Sequence, residues 1–163
     1  MKIGIISDTH MSKHFSKLKE FLLKNLKDVD LIIHAGDYTS TEVISLLKEY
    51  TDFIGVYGNN DKSKLRSLLT DKHILTLENY RIGICHGDGP KKNTLDNVMD
   101  TFKDEKLDII IFGHSHKACI FTKGKTMYLN PGSCTNKRKE PWFSYILLEL
   151  KKDYPINATI KFF

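Results

Sequence analysis

Cysteine and long hydrophobic segments are scarce in this sequence, and each absence argues against a class of protein. The three cysteines, Cys85, Cys119 and Cys134, are odd in number, widely spaced and without a Cys-x-x-Cys pair, which argues against a disulfide framework. No segment approaches the roughly 18 to 20 consecutive apolar residues that a membrane helix needs. The N-terminal segment, Met1 to Asp8, becomes polar too soon for a signal peptide. We therefore predict a cytoplasmic protein that has no membrane partner.

The composition is that of an ordinary globular chain. It has 163 residues, of which 40% are hydrophobic and 28% charged, and no repeat, low-complexity tract or linker, so we expect one domain over residues 1–163. Its 25 basic and 20 acidic side chains give a net charge of +5, which suits an anionic ligand. Basic runs such as Lys137-Arg138-Lys139 are typical of solvated surface. Nucleic-acid binding therefore stays an open alternative that the charge does not indicate.

The first half of the chain alternates apolar runs with amphipathic segments. The apolar runs at residues 2–7, 31–35 and 53–57 predict buried strands. Helical spacing of apolar residues predicts helices at 14–27, around Val43 to Leu47, and at 62–69. Strands that alternate with helices in this way imply parallel strands joined by crossover helices.

The second half contains shorter runs separated by turn signals. Residues 74–77 and 80–85 predict a hairpin that turns at Glu78-Asn79, and residues 92–105 predict a helix. Further strands are predicted at 108–112, 118–122, 126–129, 144–150 and 158–163. The fold class is therefore mixed α/β.

Five polar groups each follow an apolar run that is predicted to be a strand. They are Asp8-Thr9-His10, Gly36-Asp37, Gly58-Asn59-Asn60-Asp61, His86-Gly87-Asp88 and Gly113-His114-Ser115-His116. In an open α/β sheet, ligands bind just beyond the carboxyl ends of the strands, so these distant groups can converge there. Each group alone could be a turn or a helix cap, but all five at strand ends are hard to explain as turns.

The residue types in these groups suit metal binding. Imidazole and carboxylate together bind manganese, iron, zinc, nickel or cobalt. Seven candidate ligands are too many for one tetrahedral zinc but suit two metals that share a bridging carboxylate. The candidates are Asp8, His10, Asp37, Asn59, His86, His114 and His116.

The ordered set resembles the calcineurin-like metallophosphoesterase superfamily, whose pattern runs Asp-x-His, Gly-Asp, Gly-Asn-His-Asp or a variant, His, and Gly-His-x-His. The similarity extends from Asp8 to the segment Asn130-Pro131-Gly132-Ser133. That late segment and the small size are similar to the compact bacterial and archaeal phosphodiesterase branch. The resemblance implies an α/β (α+β) fold, a four-layer αββα sandwich of two mixed sheets flanked by helices, with the metal site at the carboxyl ends of the strands.

The resemblance also implies a role for each candidate. One metal would be held by Asp8, His10 and His116. The other would be held by Asn59, His86 and His114, with Asp37 as the bridge and with Asp37, Asn59, His86 and His114 as the catalytic residues. The cofactors would be two divalent ions, manganese by family expectation, with nickel, zinc, iron or cobalt as alternatives. Asp61 would either support the ligand Asn59 or cap the following helix. Residues Asn130 to Ser133 would either form a turn near the site or contribute to packing.

The activity implied is hydrolysis of a small phosphate diester by in-line attack of a metal-bridging hydroxide. Ser7, Ser115 and Ser133 lack a nucleophile-elbow context, which argues against covalent catalysis. Two alternatives stay open: a phosphomonoesterase or nuclease on the same site, and a non-catalytic metal-binding scaffold like the retromer subunit of this fold. Apolar residues near Trp142-Phe143 could form a homo-oligomer interface, although we expect them in the core.

Two positions depart from the family pattern. Asn60 stands where many members have a histidine that stabilises the phosphate or protonates the leaving group. An amide cannot act as an acid near neutral pH, so we expect a preference for esters whose leaving oxygen needs little protonation. Asp88 follows His86-Gly87 where relatives often have a second histidine, and we assign it to no metal. Outside the motifs, we expect His14 and His73 at the surface and His34 in the core.

Overall fold

The structure, a computed structural model, describes residues 1–163 as ten strands and four helices. The strands are β1 (Lys2–Ile6), β2 (Leu31–His34), β3 (Asp52–Gly55), β4 (Lys72–Leu77), β5 (Tyr80–Cys85), β6 (Ile109–Ile111), β7 (Cys119–Lys123), β8 (Thr126–Asn130), β9 (Ser144–Glu149) and β10 (Asn157–Phe162). The helices are α1 (Ser16–Asn25), α2 (Thr41–Tyr50), α3 (Ser63–Arg66) and α4 (Thr94–Thr101).

The strands form two mixed sheets of five strands each. The first has the order β10-β9-β1-β2-β3, and the second has the order β4-β5-β6-β8-β7. Strands β1, β2 and β3 are parallel to one another, as are β5, β6 and β8, while the outer pairs are antiparallel. The carboxyl ends of β1, β2 and β3 therefore lie at one edge of the first sheet, and those of β5 and β6 lie at one edge of the second.

Three apolar layers separate four layers of secondary structure, which confirms the predicted αββα sandwich. The two sheets pack face to face through alternate strand residues such as Ile5 and Ile84. The opposite face of the first sheet packs against α1 and α2, for example through Leu18 and Leu47. The opposite face of the second sheet packs against α4 through Val98. This period-two burial explains why neighbouring residues of one strand belong to different cores.

Local signals explain most element ends. Ser40 caps α2 by accepting from the Glu42 N–H, and Asn93 caps α4 by accepting from the Asp96 N–H at 2.9 Å. The β4–β5 hairpin turns at Glu78 and Asn79, which both have positive φ, as a type I′ turn requires. Helices α1, α3 and α4 are shorter than predicted, and α4 ends at Thr101, directly before the buried Phe102. The predicted helix at 62–69 is a single turn, Ser63–Arg66.

The predictions for residues outside the motifs have mixed outcomes. His34 is fully buried and His14 is exposed, as expected, whereas His73 is partly buried within β4. The core placement of Trp142 is wrong, because 61% of its surface is exposed in the turn that precedes β9. Phe143 is partly buried beside Phe163, with ring centroids 5.8 Å apart. None of the four helices has the length and apolar character that would let it cross a membrane.

Candidate metal centre

The five polar groups converge at the carboxyl ends of their strands, and backbone hydrogen bonds fix the loops that carry them. The loops after β1 and β2 run side by side, since the Asp8 N–H donates to Gly36 O at 2.9 Å and the His10 N–H donates to Asp37 O at 3.0 Å. The His114 N–H crosses between the sheets and donates to Asp8 Oδ2 at 2.9 Å. Residues more than one hundred positions apart in the chain are thus held in one rigid cluster.

The first tight group of potential ligands contains Asp8, His10 and His116. His116 Nε2 lies 3.3 Å from Asp8 Oδ1 and 3.2 Å from His10 Nε2. The two imidazole rings are stacked, with centroids 5.1 Å apart and planes 11° from parallel. Three donor atoms from two loops therefore point at one small volume, as the ligands of one cation do.

The second tight group contains Asp8, Asp37 and His86. Asp37 Oδ2 lies 3.3 Å from His86 Nε2 and 3.5 Å from His10 Nε2, so this oxygen stands between the two groups. That is the place of a bridging ligand. Asp8 also belongs to both groups, which the family resemblance did not imply.

Asn59 and His114 lie at the rim of the cluster and outside both tight groups. The Asn59 Oδ1 atom is 3.0 Å from His114 Nδ1, and the rings of His114 and His86 meet edge to face with centroids 5.2 Å apart. Asn59 is exposed and His114 is half-buried, whereas Asp8, Asp37, His86 and His116 are buried. We call the four buried residues Asp8, Asp37, His86 and His116 the floor of the site, and we call Asn59 and His114 its rim.

Two buried polar atoms in the floor, Asp8 Oδ1 and His86 Nε2, have no well-formed hydrogen bond. Each has only a contact of 3.3 Å, Asp8 Oδ1 to His116 Nε2 and His86 Nε2 to Asp37 Oδ2. Leaving a buried polar atom unsatisfied is unfavourable by about 1 to 3 kcal/mol, so native proteins rarely do so without a reason. Both atoms face the cluster, and both are of the kind that binds divalent cations. The donor set therefore fits two cations.

Charge coupling in the cluster moves several pKa values. Burial raises the pKa of Asp8 to about 7, although the nearby His86 opposes the shift. Burial alone would lower the pKa of His86, but its contact with Asp37 and the charge of Asp8 raise it to about 9. Burial would raise the pKa of Asp37, yet His86 and Asn60 outweigh it and hold that pKa well below its usual value. Without metal, His86 and Asp37 thus form a buried ion pair.

The remaining imidazoles favour the neutral form that binds metals. Burial lowers the pKa of His10 and of His114, and it lowers the pKa of His116 to about 4. In two of the candidate ligands, Nδ1 already contacts a backbone carbonyl. His86 Nδ1 lies 2.7 Å from Ala35 O, and His116 Nδ1 contacts Asn136 O. Carbonyl acceptors of this kind set the tautomer and leave Nε2 free for the metal.

The backbone at this edge is strained. Five of the seven candidate ligands have positive φ, a region that non-glycine residues rarely adopt, although Asp and His tolerate it better than most. They are Asp8 (54°), His10 (45°), Asp37 (61°), His114 (66°) and His116 (60°). Each such residue is unfavourable by about 1 to 3 kcal/mol, and such strain concentrates at functional sites. Gly36, with φ 97°, is needed for a second reason, because a Cβ there would stand 2.6 Å from His86 Nδ1.

Asp61 organises the loops rather than capping a helix. Its carboxylate accepts hydrogen bonds from the N–H groups of four residues, and the α3 cap position is Lys62. The four donors are Asp37 (2.9 Å), Tyr38 (2.8 Å), Thr39 (2.8 Å) and Gly58 (2.8 Å). This carboxylate holds the Asp37 loop against the Asn59 loop.

The segment Asn130-Pro131-Gly132-Ser133 also supports the candidate ligands. The Asn130 amide donates to Gly113 O at 2.9 Å, and the Ser133 hydroxyl donates to Asp8 O at 2.8 Å. Both predicted alternatives therefore apply, because the segment is a turn near the site and it packs the ligand loops.

Asn60 is exposed, yet it contacts the candidate bridge. Its Nδ2 donates to Asp37 Oδ2 at 2.6 Å, and its backbone N–H donates to Asp37 Oδ1 at 2.8 Å. Both Asp37 oxygens are thus oriented by one residue. Asn60, which stands where many family members have a histidine, therefore donates two hydrogen bonds to the Asp37 carboxylate, which lies between the two groups.

Arg138 is a functional candidate that the sequence interpretation missed by placing it on the solvated surface. Its side chain has no hydrogen bond or ion pair, it lines a cavity of about 470 Å³ beside His116, and its φ is 50°. Its charge is among the causes that lower the pKa of His10, His114 and His116. Only the position of the Asn130–Glu140 segment beside the site distinguishes it from the other surface cations, and no local sequence signal could have shown that.

Comparisons with known proteins agree with this geometry. The sequence profile of the calcineurin-like phosphoesterase superfamily domain matches residues 1–153. The chain is 36% identical over 140 residues to a probable metallophosphoesterase of Methanocaldococcus jannaschii, covering 85% of this chain and 70% of the relative. It is 30% identical over 147 residues to a phosphodiesterase of the same organism, covering 82% of this chain and 84% of the relative.

Solved structures share the fold over the whole chain. An archaeal phosphodiesterase superposes with a TM-score of 0.75 at 25% identity, covering 99% of this chain and 100% of that chain. A Vps29 variant from Entamoeba histolytica superposes with a TM-score of 0.77 at 22% identity, covering 100% of this chain and 99% of that chain, which shows the fold alone. Together with the profile match, these similarities show that this chain belongs to the calcineurin-like phosphoesterase superfamily.

Proposed function

We propose that the protein is a phosphodiesterase that hydrolyses small phosphate diesters with two divalent cations. The observation that supports this most directly is the pair of buried atoms without a well-formed hydrogen bond, Asp8 Oδ1 and His86 Nε2, both in one tight group with Asp37. Family membership supplies the reaction class, phosphoester hydrolysis. The relative named a phosphodiesterase favours a diester over a monoester.

The proposed cation sites follow the two groups in the structure. Asp8, His10 and His116 would hold one cation, and His86 with the rim residues Asn59 and His114 would hold the other. Asp37 would bridge them, and Asp8 lies close enough to both groups to contribute to either. The bound cations would supply a water nucleophile of lowered pKa and positive charge for the phosphoryl oxygens. Manganese is the proposed metal, with nickel, zinc, iron and cobalt as alternatives.

The protein's own residues would position the ester. The buried floor cannot move, because Asp61, Ala35 O and Asn136 O fix its loops and rings. The exposed rim formed by Asn59 and His114 is where an ester can approach. Burial and His86 keep the pKa of His114 below its ordinary value, so this ring stays neutral near pH 7 and can donate or accept a hydrogen bond.

Two alternatives use the same residues. A phosphomonoesterase or nuclease would share the site and differ in substrate. A non-catalytic scaffold is suggested by the fold shared with Vps29. We favour the enzyme because all seven ligand positions are filled and five of them keep a strained backbone that a scaffold would not need. Cytoplasmic location and a homo-oligomer stay predictions.

The first prediction concerns the reaction. Protein stripped of metal and reloaded with manganese should hydrolyse bis-p-nitrophenyl phosphate faster than p-nitrophenyl phosphate. Asp37→Ala should lower the diester rate by at least about a hundredfold, because it removes the carboxylate between the two groups. The release of p-nitrophenolate measures both rates.

Asp104→Ala is the matched control, since Asp104 is an exposed aspartate outside both groups, and it should retain the wild-type rate. If two metals bind and neither ester is cleaved, the scaffold alternative replaces the enzyme.

The second prediction concerns pH. A cation at His86 Nε2 must displace the proton that the raised pKa of about 9 retains there, and below about pH 7 it must also displace one from Asp8. Metal affinity should therefore rise with pH between 6 and 8, by roughly tenfold per pH unit for each proton released. Calorimetric titration with Mn²⁺ in two buffers of different ionisation enthalpy counts the protons. An affinity that is constant over this range would contradict the ion pair.

The third prediction concerns Asn60. Because an amide cannot protonate a leaving oxygen, the wild type should be poor on alkyl esters, and Asn60→His should raise the rate on them by about a hundredfold relative to p-nitrophenyl esters. Asn60→Ala is the control, because it removes the 2.6 Å contact to Asp37 without adding an acid. Equal rates of Asn60→His and Asn60→Ala on alkyl esters would sink the idea.

The fourth prediction concerns Arg138, which we assign to the phosphoryl oxygens because an unpaired guanidinium beside the cluster suits them. Arg138→Ala should raise KM for the diester about tenfold and leave kcat within about twofold. Lys125→Ala, which removes an exposed cation in the turn between β7 and β8, away from this cavity, should change neither. A fall in kcat at unchanged KM would show that Arg138 acts on the chemistry or on the ligands instead.

A further inference from the structure

A cleft of about 620 Å³ opens directly beside the candidate metal centre. It lies between α1 and residues 134–143, with the C-terminal Phe163 at one side, and we call it the α1 cleft. Its volume is within the range of about 300 to 1,000 Å³ that small-molecule sites occupy. Nothing in the proposed two-cation chemistry uses this space.

One wall of the α1 cleft is a single face of helix α1. Lys17, Glu20, Phe21 and Lys24 line it, and their spacing of three, four and seven positions places them on one side of the helix. Lys13 precedes the helix on the same wall. Three lysines against one glutamate make this wall attractive to an anion.

The α1 cleft also has an aromatic side, where Phe21 of α1 meets Phe143 and Phe163. Phe163 stacks on Phe21 with centroids 5.4 Å apart and planes 21° from parallel, and it lies 5.8 Å from Phe143. Phe21 is buried, whereas 45% of the surface of Phe163 is exposed. A supported, exposed ring is a surface on which a planar group can pack.

The α1 cleft is continuous with the candidate metal centre. Thr9 and His10 line it, and His10 Nε2 is 3.5 Å from Asp37 Oδ2. A diester has two substituents on phosphorus, and in-line attack sends one of them away as the leaving group. With phosphorus at the candidate metal centre, the substituent that stays can extend past His10 into the α1 cleft.

We propose that the α1 cleft binds the substituent that remains on phosphorus, and that this substituent carries an aromatic ring and a further anionic group, as a nucleotide does. The ring packs on Phe163, and the anionic group lies against Lys13 and Lys17. This inference rests on the proposed function and names its substrate class. It assigns no role in the chemical step to the α1 cleft.

The other cavity beside the cluster fits this class less well. It is lined by Ser115, His116, Lys117, Arg138, Lys139 and Glu140 and has no apolar wall. It suits the charged phosphoryl oxygens, whereas an aromatic group would gain little from it. One cavity lies beside His10 and the other beside His116. In the proposal, the α1 cleft binds the remaining substituent and the other cavity binds the phosphoryl oxygens.

Three esters with the same leaving group test the proposal. They are methyl p-nitrophenyl phosphate, the p-nitrophenyl ester of thymidine 5′-phosphate, and that same ester carrying a 3′-phosphate. Because p-nitrophenolate leaves in every case, differences in kcat/KM report binding of the remaining substituent. We expect kcat/KM on the manganese-loaded wild type to rise by about tenfold from the methyl to the thymidine ester. It should rise again, by about fivefold, with the 3′-phosphate.

Single-residue variants test which part of the α1 cleft produces each gain in kcat/KM. Phe163→Leu keeps apolar bulk against Phe21 but removes the ring, so it should abolish the thymidine gain and spare the methyl ester. Lys17→Ala should abolish the gain from the 3′-phosphate. A higher salt concentration should weaken the same gain in the wild type, because salt screens the attraction between the lysines and the phosphate. Lys19→Ala is the control for Lys17→Ala, since Lys19 is also an exposed lysine of α1 but does not line the α1 cleft. Equal kcat/KM for the three esters, or equal losses in Lys17→Ala and Lys19→Ala, would overturn the proposal.

A binding measurement separates this proposal from the proposed function. Thymidine 3′,5′-bisphosphate added to the metal-free protein should shift the amide resonances of Lys17 and Phe163, and Phe163→Leu should weaken that binding about tenfold. Shifts confined to His116 and Arg138 would overturn the α1 cleft as the site. If the methyl ester is not cleaved at all, the proposed function fails, and the titration still decides whether the α1 cleft binds a nucleotide.

Discussion

The buried carboxylate of Asp37 is the group on which the rest of the site depends. Taking a charge out of water is unfavourable unless nearby groups compensate it, and Asp37 has a protonated His86 at 3.3 Å and two donors from Asn60. Its backbone is held in turn by Asp61, whose carboxylate collects four N–H groups from two loops. Any change in one of these partners would therefore move the oxygen that stands between His10 and His86. Three acidic residues, Asp8, Asp37 and Asp61, are buried together at this edge, and each accepts hydrogen bonds from backbone N–H groups.

The two-sheet architecture is what brings the donors together. Loops after β1, β2 and β3 come from one sheet, and loops after β5 and β6 come from the other, and the bond from the His114 N–H to Asp8 Oδ2 joins them. The apolar layer between the sheets sets the separation of those loops, so the core determines the geometry of the ligands. The strained φ values of five candidate ligands are tolerated because this packing fixes the strands on which they stand.

Much of this could be predicted from the sequence, because apolar runs and the polar groups that follow them are local signals. The four layers, the parallel strands and the hairpin at Glu78-Asn79 are confirmed, and so is the family. The ligand roles of the candidates are untested and stay predictions. Three features could not be predicted, because each is set by packing between distant segments: the exposure of Trp142, the contact of Asn60 with Asp37, and the position of Arg138 beside His116.

The division of the site into a buried floor and an open rim separates two requirements that conflict. Cations need fixed, dehydrated ligands, and the buried Asp8, Asp37, His86 and His116 are the candidates for that role. A substrate needs access, and the exposed Asn59, the half-buried His114 and the flanking cavities provide it. Residues of the floor constrain one another through shared hydrogen bonds, so substitutions there spread through the cluster. The exposed side chains of Lys13, Lys17 and Lys24 in the α1 cleft make no hydrogen bond to the floor. Under the proposed function, substitutions on this wall can therefore change substrate preference without disturbing the candidate metal ligands, which is how one fold can serve many esters.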